Sequence, residues 1–235
     1  ENDDHGFGRC MVGKDRTGRM PDRQDECVTP AEDACVDLIE TIAFNPMEGM
    51  PLLEFHLARL TDSAAQLGFS FNRHSARNEL QAATFRLREH ARVRMLVSRG
   101  GAMAIEVREH RTWPQPIMQL RAVRRPVRAD DWRLHHKTTD RSIYREALSS
   151  GGTYEVMMLD EDGFVTEGCF SNIFVERGDK LVTPPLSRGV LPGVLRASLL
   201  ACGEAIEGDL KPFDMERGFF IGNAARGMVA AQLIV

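Results

Sequence analysis

Val165-Thr166-Glu167-Gly168-Cys169-Phe170-Ser171-Asn172-Ile173-Phe174 sets a carboxylate between the end of one strand and the start of the next. β-Branched and aromatic residues on both sides favour extended backbone, and Gly168 supplies a bend between them. Working outward, strands are expected at 155–159, 164–166 and 171–175, with turns at Asp162-Gly163 and Arg177-Gly178. A helix over about 141–148 precedes them and ends at Gly151-Gly152. Another begins near Pro192-Gly193 and runs to about Cys202, its start leaving backbone N–H groups free to meet an anion. Short strands at 218–221 and 228–233 complete this half.

The first half is read the same way. Residues 36–44 are apolar and β-branched, a strand. Leu53, Leu57, Leu60, Ala64 and Leu67 recur at helical spacing, and Gly68 closes that pattern. A second helix is expected over 75–89, then strands at 93–98, 103–108 and 117–123. Trp113-Pro114-Gln115-Pro116 interrupts the run and marks a junction. The expected organisation is α+β: a polar tail or linker over 1–35, a small α+β lobe over 36–112, and a larger lobe over 113–235.

Composition narrows the class. The chain of 235 residues has a hydrophobic fraction of 43% and a net charge of −4, with arginines scattered among acids. That offers no basic field for nucleic acid. No apolar run approaches the ~20 residues of a membrane helix, and Glu1–Asp4 lacks the pattern of a signal peptide, so a cytoplasmic enzyme or binding domain is expected. Five cysteines, Cys10, Cys27, Cys35, Cys169 and Cys202, form an odd and dispersed set that argues for reduced thiols. His5, Cys10, Cys27 and Cys35 match no common zinc spacing, so no metal is expected.

The chemistry starts from lysine scarcity. Of 30 basic side chains only four are lysines, and Lys137 stands in Leu134-His135-His136-Lys137-Thr138-Thr139-Asp140-Arg141. A primary amine forms a Schiff base with an aldehyde and a guanidinium does not. Three further features are Glu167, the helix start Leu191-Pro192-Gly193-Val194-Leu195-Arg196, and Arg59 in Phe55-His56-Leu57-Ala58-Arg59-Leu60. Singly these are a turn acid, a helix cap and a snorkelling arginine. Jointly they match what pyridoxal 5'-phosphate requires: an amine for its aldehyde, a carboxylate for its ring nitrogen, and an arginine with helix N–H groups for its phosphate.

The ordered set Glu-Thr-Ile (40–42), His-Leu-Ala-Arg-Leu (56–60), His-Lys-Thr-Thr-Asp-Arg (136–141), Thr-Glu-Gly-Cys-Phe-Ser-Asn-Ile-Phe (166–174), Leu-Pro-Gly-Val-Leu-Arg (191–196) and Gly-Asn-Ala-Ala-Arg-Gly (222–227) resembles the class IV aminotransferases over about 36–235. These fold-type-IV pyridoxal phosphate enzymes include branched-chain and D-amino acid aminotransferases and 4-amino-4-deoxychorismate lyase. The resemblance implies a small α+β lobe and a larger barrel-like lobe with the cofactor between them, in a homodimer. It implies that Lys137 carries the Schiff base and Glu167 faces the ring nitrogen. Arg59 and the amides of Val194 and Leu195 would bind phosphate, with Asn223 touching phosphate or lining the pocket. Thr41 would face the substrate. Arg94 and Arg99, with Arg226 after the 222–225 turn, are the candidates for substrate carboxylates.

The segments 136–144, 183–187 and 222–227 are most similar to the lyase branch, which converts 4-amino-4-deoxychorismate to p-aminobenzoate and pyruvate in folate biosynthesis. Aminodeoxychorismate synthase would then be a functional partner. The alternatives are an aminotransferase for branched-chain or D-amino acids, and a non-catalytic domain that binds pyridoxal phosphate or only dimerises.

Overall fold

The computed structural model describes residues 36–234. The polar segment 1–35, with the zinc set dismissed above, lies outside the described residues. Two sheets organise the chain. The first is antiparallel, in the order β1 (Leu38–Phe44), β2 (Ala91–Val97), β3 (Met103–Glu109). Helices α1 (Leu53–Leu67) and α2 (Arg73–Thr84) connect β1 to β2 and bury Leu57, Leu60 and Leu80 against Leu38, Ile42, Val93 and Met95. β2 alternates buried and half-buried residues along its whole length, which follows from the two-residue period of a strand with one face packed.

The second sheet is mixed and seven-stranded. Its strands are β4 (Ile117–Arg124), β5 (Glu155–Leu159), β6 (Asn172–Arg177), β7 (Lys180–Thr183), β8 (Ala205–Glu207), β9 (Phe219–Asn223) and β10 (Gly227–Leu233). They run β5-β4-β10-β9-β6-β7-β8. The short helix α3 (Trp132–His135) and α4 (Ser142–Gly151) join β4 to β5, and α5 (Val194–Ala201) joins β7 to β8. Among the described residues no helix is long and apolar enough to cross a membrane.

Local chemistry explains most boundaries. Gly68 ends α1 in the left-handed region at φ 70°, and its N–H reaches the Ala64 carbonyl. Asn72 caps α2 by accepting from the Ser75 N–H at 2.9 Å, so the helix starts ahead of the expected residue 75. It also stops at Thr84 rather than 89: the Leu87 N–H bonds the Thr84 carbonyl in a tight turn, and Phe85 is left exposed. The strand expected at 164–166 is only a single bridge, Leu159 to Val165. There the chain wraps around Asp160, whose Oδ1 accepts from the Asp162 and Phe164 N–H groups, and too few residues remain to extend a ladder. α3, β7 and β8 were not expected. With four, four and three residues they are too short to show a period.

Candidate active site

Lys137 follows α3 on a segment pinned to β1. Its carbonyl accepts from the Ile39 N–H at 3.0 Å, and Asp37 and Thr139 exchange two further bonds. The side chain opens into a cavity that also meets Thr41, Arg59, Glu167, Val194, Asn223 and Arg226. Its amine makes no hydrogen bond or ion pair with the described residues. Burial pushes the pKa down to about 7, helped by the cations Arg141 and Arg59 and opposed by Glu40 and Glu167. A solvated lysine is fully protonated at neutral pH; this one is divided between its two forms.

Glu167 sits on the loop before β6, fully buried. Its Oε1 accepts from the Tyr144 hydroxyl at 2.9 Å and its Oε2 from the Leu191 N–H at 3.1 Å. Burial raises its pKa to about 7, against the lowering effect of the Tyr144 bond and the Arg141 charge. The Arg141 guanidinium carbon lies over the Tyr144 ring, 3.6 Å from its centroid, and Arg141 donates to the Cys169 carbonyl. The loop itself hangs on Glu155. That buried carboxylate accepts from the N–H groups of Val156, Cys169 and Phe170 and from the Ser171 hydroxyl. A Cβ on Gly168 would sit 2.8 Å from the Glu155 carboxyl carbon and 2.5 Å from Ser171 Oγ, so glycine is required for that approach.

On the opposite wall, β1 and α1 bring Glu40, His56 and Arg59 together. The Arg59 Nε and Nη2 donate to Glu40 at 2.7 and 2.6 Å, and Nη1 donates to the Pro192 carbonyl at 3.0 Å. A guanidinium has five N–H groups, so hydrogens remain on both Nη atoms for a ligand. His56 Nδ1 lies 2.7 Å from Glu40. The start of α5 faces the same space. Gly193 gives room to Asn172 there, because a Cβ would fall 1.7 Å from Asn172 Oδ1 and force that side chain to move. Leu195, one residue further along α5 than the cavity-lining Val194, does not line the cavity with its side chain.

The remaining expected residues divide. Asn223 reaches the cavity, but its side chain is occupied with the turn 223–226, accepting from the Ala225 and Arg226 N–H groups and donating to the Phe170 carbonyl. Arg226 lines the cavity, donates to the Tyr154 hydroxyl at 2.8 Å and lies 5.1 Å from the Trp113 ring centroid. Arg99 is elsewhere: it donates to the Leu67 carbonyl at the end of α1 and covers the Phe69 ring. Arg94 is paired in register with Thr41 on β2 but does not line the cavity. Arg92, two residues earlier on the same strand face, does. It has no ion pair or hydrogen bond among the described residues, and burial with the neighbouring charges of Arg226, Arg108 and Arg111 lowers its pKa.

Glu40, His56 and Tyr144 stood inside quoted motifs, yet nothing local distinguished them. Glu155 left only a faint trace, an acid at the head of an otherwise apolar strand. Apart from the adjacent Val156 N–H, its partners are 14 to 16 residues further along the chain.

The donor set fits pyridoxal 5'-phosphate. A half-neutral amine without a counter-ion stands across from a carboxylate able to hold or share a proton. Arginine N–H groups and a helix start supply anion contacts, and two buried nitrogens of cavity-lining residues, His56 Nε2 and Arg141 Nη1, have no partner among the described residues.

Comparison with known proteins agrees. The family model for amino-transferase class IV matches residues 37–234. A provisionally named aminodeoxychorismate lyase of Schizosaccharomyces pombe is 30% identical over 165 residues, 67% of this chain and 71% of that one. Branched-chain-amino-acid aminotransferase-like protein 2 of Arabidopsis thaliana is 29% identical over 63% of this chain and 31% of its own length. The crystal structure of a provisionally named amino-acid aminotransferase from Mesorhizobium loti is 32% identical, with a TM-score of 0.78 over 85% of this chain and all of that one. The chain belongs to the class IV aminotransferases and is a pyridoxal-phosphate-dependent enzyme of fold type IV.

Proposed function

We propose that the enzyme is a lyase that converts 4-amino-4-deoxychorismate to p-aminobenzoate and pyruvate. The observation that carries this reading is the pair Arg92 and Arg226 on the cavity wall, neither with a carboxylate partner among the described residues. Two cations held close together without an anion are costly, and a substrate with two carboxylates relieves them. Trp113, Tyr154 and Phe170 beside Arg226 offer flat surfaces to a six-membered ring.

Lys137, Glu167 and Arg59 would hold the cofactor by its aldehyde, ring nitrogen and phosphate. The amides at the start of α5 add to the phosphate contacts, and the turn built on Asn223 borders them. When bound, pyridoxal phosphate supplies a carbonyl for the substrate amine and an electron sink for the carbon that bears it. Lys137 would take the proton from that ring carbon at Nζ, which its depressed basicity permits near neutral pH. Glu167, ionised beside the ring nitrogen, would hold the proton there, while Tyr144 donates to its Oε1. The C–O bond to the enolpyruvyl group breaks, the ring becomes aromatic, and the enolpyruvate methylene gains a proton from Lys137 or through the Thr41 hydroxyl. A homodimer, supply by aminodeoxychorismate synthase and a cytoplasmic setting belong to the same reading.

An aminotransferase acting on a branched-chain or D-amino acid is the second reading, favoured by the name of the Mesorhizobium loti relative. It would use the same lysine, glutamate and phosphate contacts. The test is p-aminobenzoate fluorescence from the loaded enzyme given aminodeoxychorismate made by a synthase. Product formation lost in Lys137→Ala supports the lyase. No product, with the cofactor converted to its amine form by leucine or D-alanine, replaces it with the second reading.

A further inference from the structure

We propose that His56 is a proton-gaining contact for the cofactor phosphate: its Nε2, braced through Nδ1 by Glu40, binds a phosphate oxygen and takes up a proton from solvent as the phosphate arrives. The inference rests on the phosphate lying between Arg59 and the start of α5.

Four observations lead here. First, His56 is 1% exposed and lines the cavity, one helical turn from Arg59. Second, its Nδ1 must carry hydrogen, because the Glu40 carboxylate at 2.7 Å only accepts. Third, Nε2, on the other side of the ring, is buried and unpartnered among the described residues. A buried nitrogen left without a partner costs free energy that a ligand can return. Fourth, this wall has no spare positive charge. Glu40 from β1 is held well below the usual carboxylate range by Arg59 and His56, despite the opposing effect of burial, so it stays ionised and cancels Arg59.

The remaining charges near His56 leave one source. Lys137 from the segment after α3 is half neutral and committed to the aldehyde. Arg196 on α5 points away, donating to the Pro184 carbonyl and to Glu207. Burial holds the imidazole neutral before the ligand binds. A phosphate ester is a dianion above its second pKa of about 6. Set against a wall of zero net charge, it is stabilised by a proton shared with Nε2. No bond is made or broken apart from that transfer.

The probes are 4-deoxypyridoxine 5'-phosphate and 4-deoxypyridoxine. Both lack the aldehyde, so Lys137 chemistry drops out, and the ring contribution cancels between them. Calorimetry near pH 8 in two buffers of different ionisation heat counts protons. The wild-type protein should take up about one proton more with the phosphorylated probe, and its affinity for that probe should fall up to about tenfold per pH unit above neutrality. His56→Asn keeps a donor for Glu40 and deletes Nε2. It should lose the extra proton and about tenfold in affinity for the phosphorylated probe alone. An unchanged proton difference in His56→Asn overturns the proposal, as does no difference in the wild type. Should the variant not fold, ¹⁵N-histidine spectra of the wild type decide: Nε2 must move from its bare to its protonated position with the phosphorylated probe only. Wild-type protein that distinguishes neither probe by affinity would remove the phosphate placement itself.

Discussion

Two buried glutamates serve the cavity, Glu167 on its wall and Glu40 bonded to the wall residues Arg59 and His56, and their environments drive them apart. Burial raises the pKa of both. At Glu40 the opposite effect wins, because Arg59 and His56 bond both oxygens, and the Arg59 charge with these hydrogen bonds outweighs desolvation. At Glu167 the partners are a hydroxyl and one amide, Arg141 acts only through space, and the pKa settles at about 7. Glu155 behaves like Glu167: four hydrogen bonds and no adjacent cation leave it at about 7 as well. Hydrogen bonds alone do not replace a counter-charge at these sites. The paired wall suits a fixed anchor, and the unpaired wall suits a group whose proton must respond to a ligand.

That contrast can be broken. The largest effect is expected from Lys137→Ala, which leaves both glutamates in place but removes the amine between them. Turnover should fall by about three orders of magnitude or more, read as p-aminobenzoate formation. Glu40→Gln should come next. It strands Arg59 without its counter-ion and should cost about 3–5 kcal/mol of stability in urea unfolding. Glu167→Gln should show the reverse profile, with rate reduced about a hundredfold and folding little impaired.

The pH dependence sharpens the same point. Burial raises the Glu167 and Glu155 carboxyls in the folded protein from their ordinary 4.5 to about 7. Between these values the folded protein binds more protons than the unfolded chain, so apoprotein stability should fall as pH rises through that window and level off above it. Glu40 has the opposite sign: its contribution is complete above pH 4.5 and disappears only in acid. Urea midpoints against pH should show the decline, and Glu167→Gln should flatten it in part.

The smallest effects separate the arginines. Arg92→Gln should raise KM about tenfold without changing stability much. Arg99→Ala should leave KM unchanged and cost about 1 kcal/mol, because it loses only a bond to the end of α1. Equal KM effects for the two would return Arg99 to the candidates for carboxylate binding.

The amine, the turn acid, the helix arginine and the glycine before α5 were all legible, since each is a residue type whose chemistry or backbone demand is visible locally. α1 was legible because one apolar face repeats over 15 residues and a glycine ends it. Arg92 was not. β2 carries Arg92 and Arg94 on one face, and strand periodicity cannot say which of two same-face residues meets a cavity bordered by the end of β9 and the turn after it. Glu155 and Tyr144 escaped for a related reason: hydrogen bonds across 14 to 23 residues leave no local spacing to detect.

By itself the sequence determined which chemistry was available: one lysine set among oriented polar groups, an acid between strands, and a glycine-led helix start. Those follow from side-chain type and short-range backbone preference, which act within a few residues. The tertiary structure alone decided which charges were paired. It placed Glu40 on Arg59 and His56 and left Glu167 with a hydroxyl. It set Arg92 and Arg226 on the cavity wall and Arg94 and Arg99 off it. Burial and counter-charge depend on what distant segments bring into contact, and they set the protonation on which the chemistry turns.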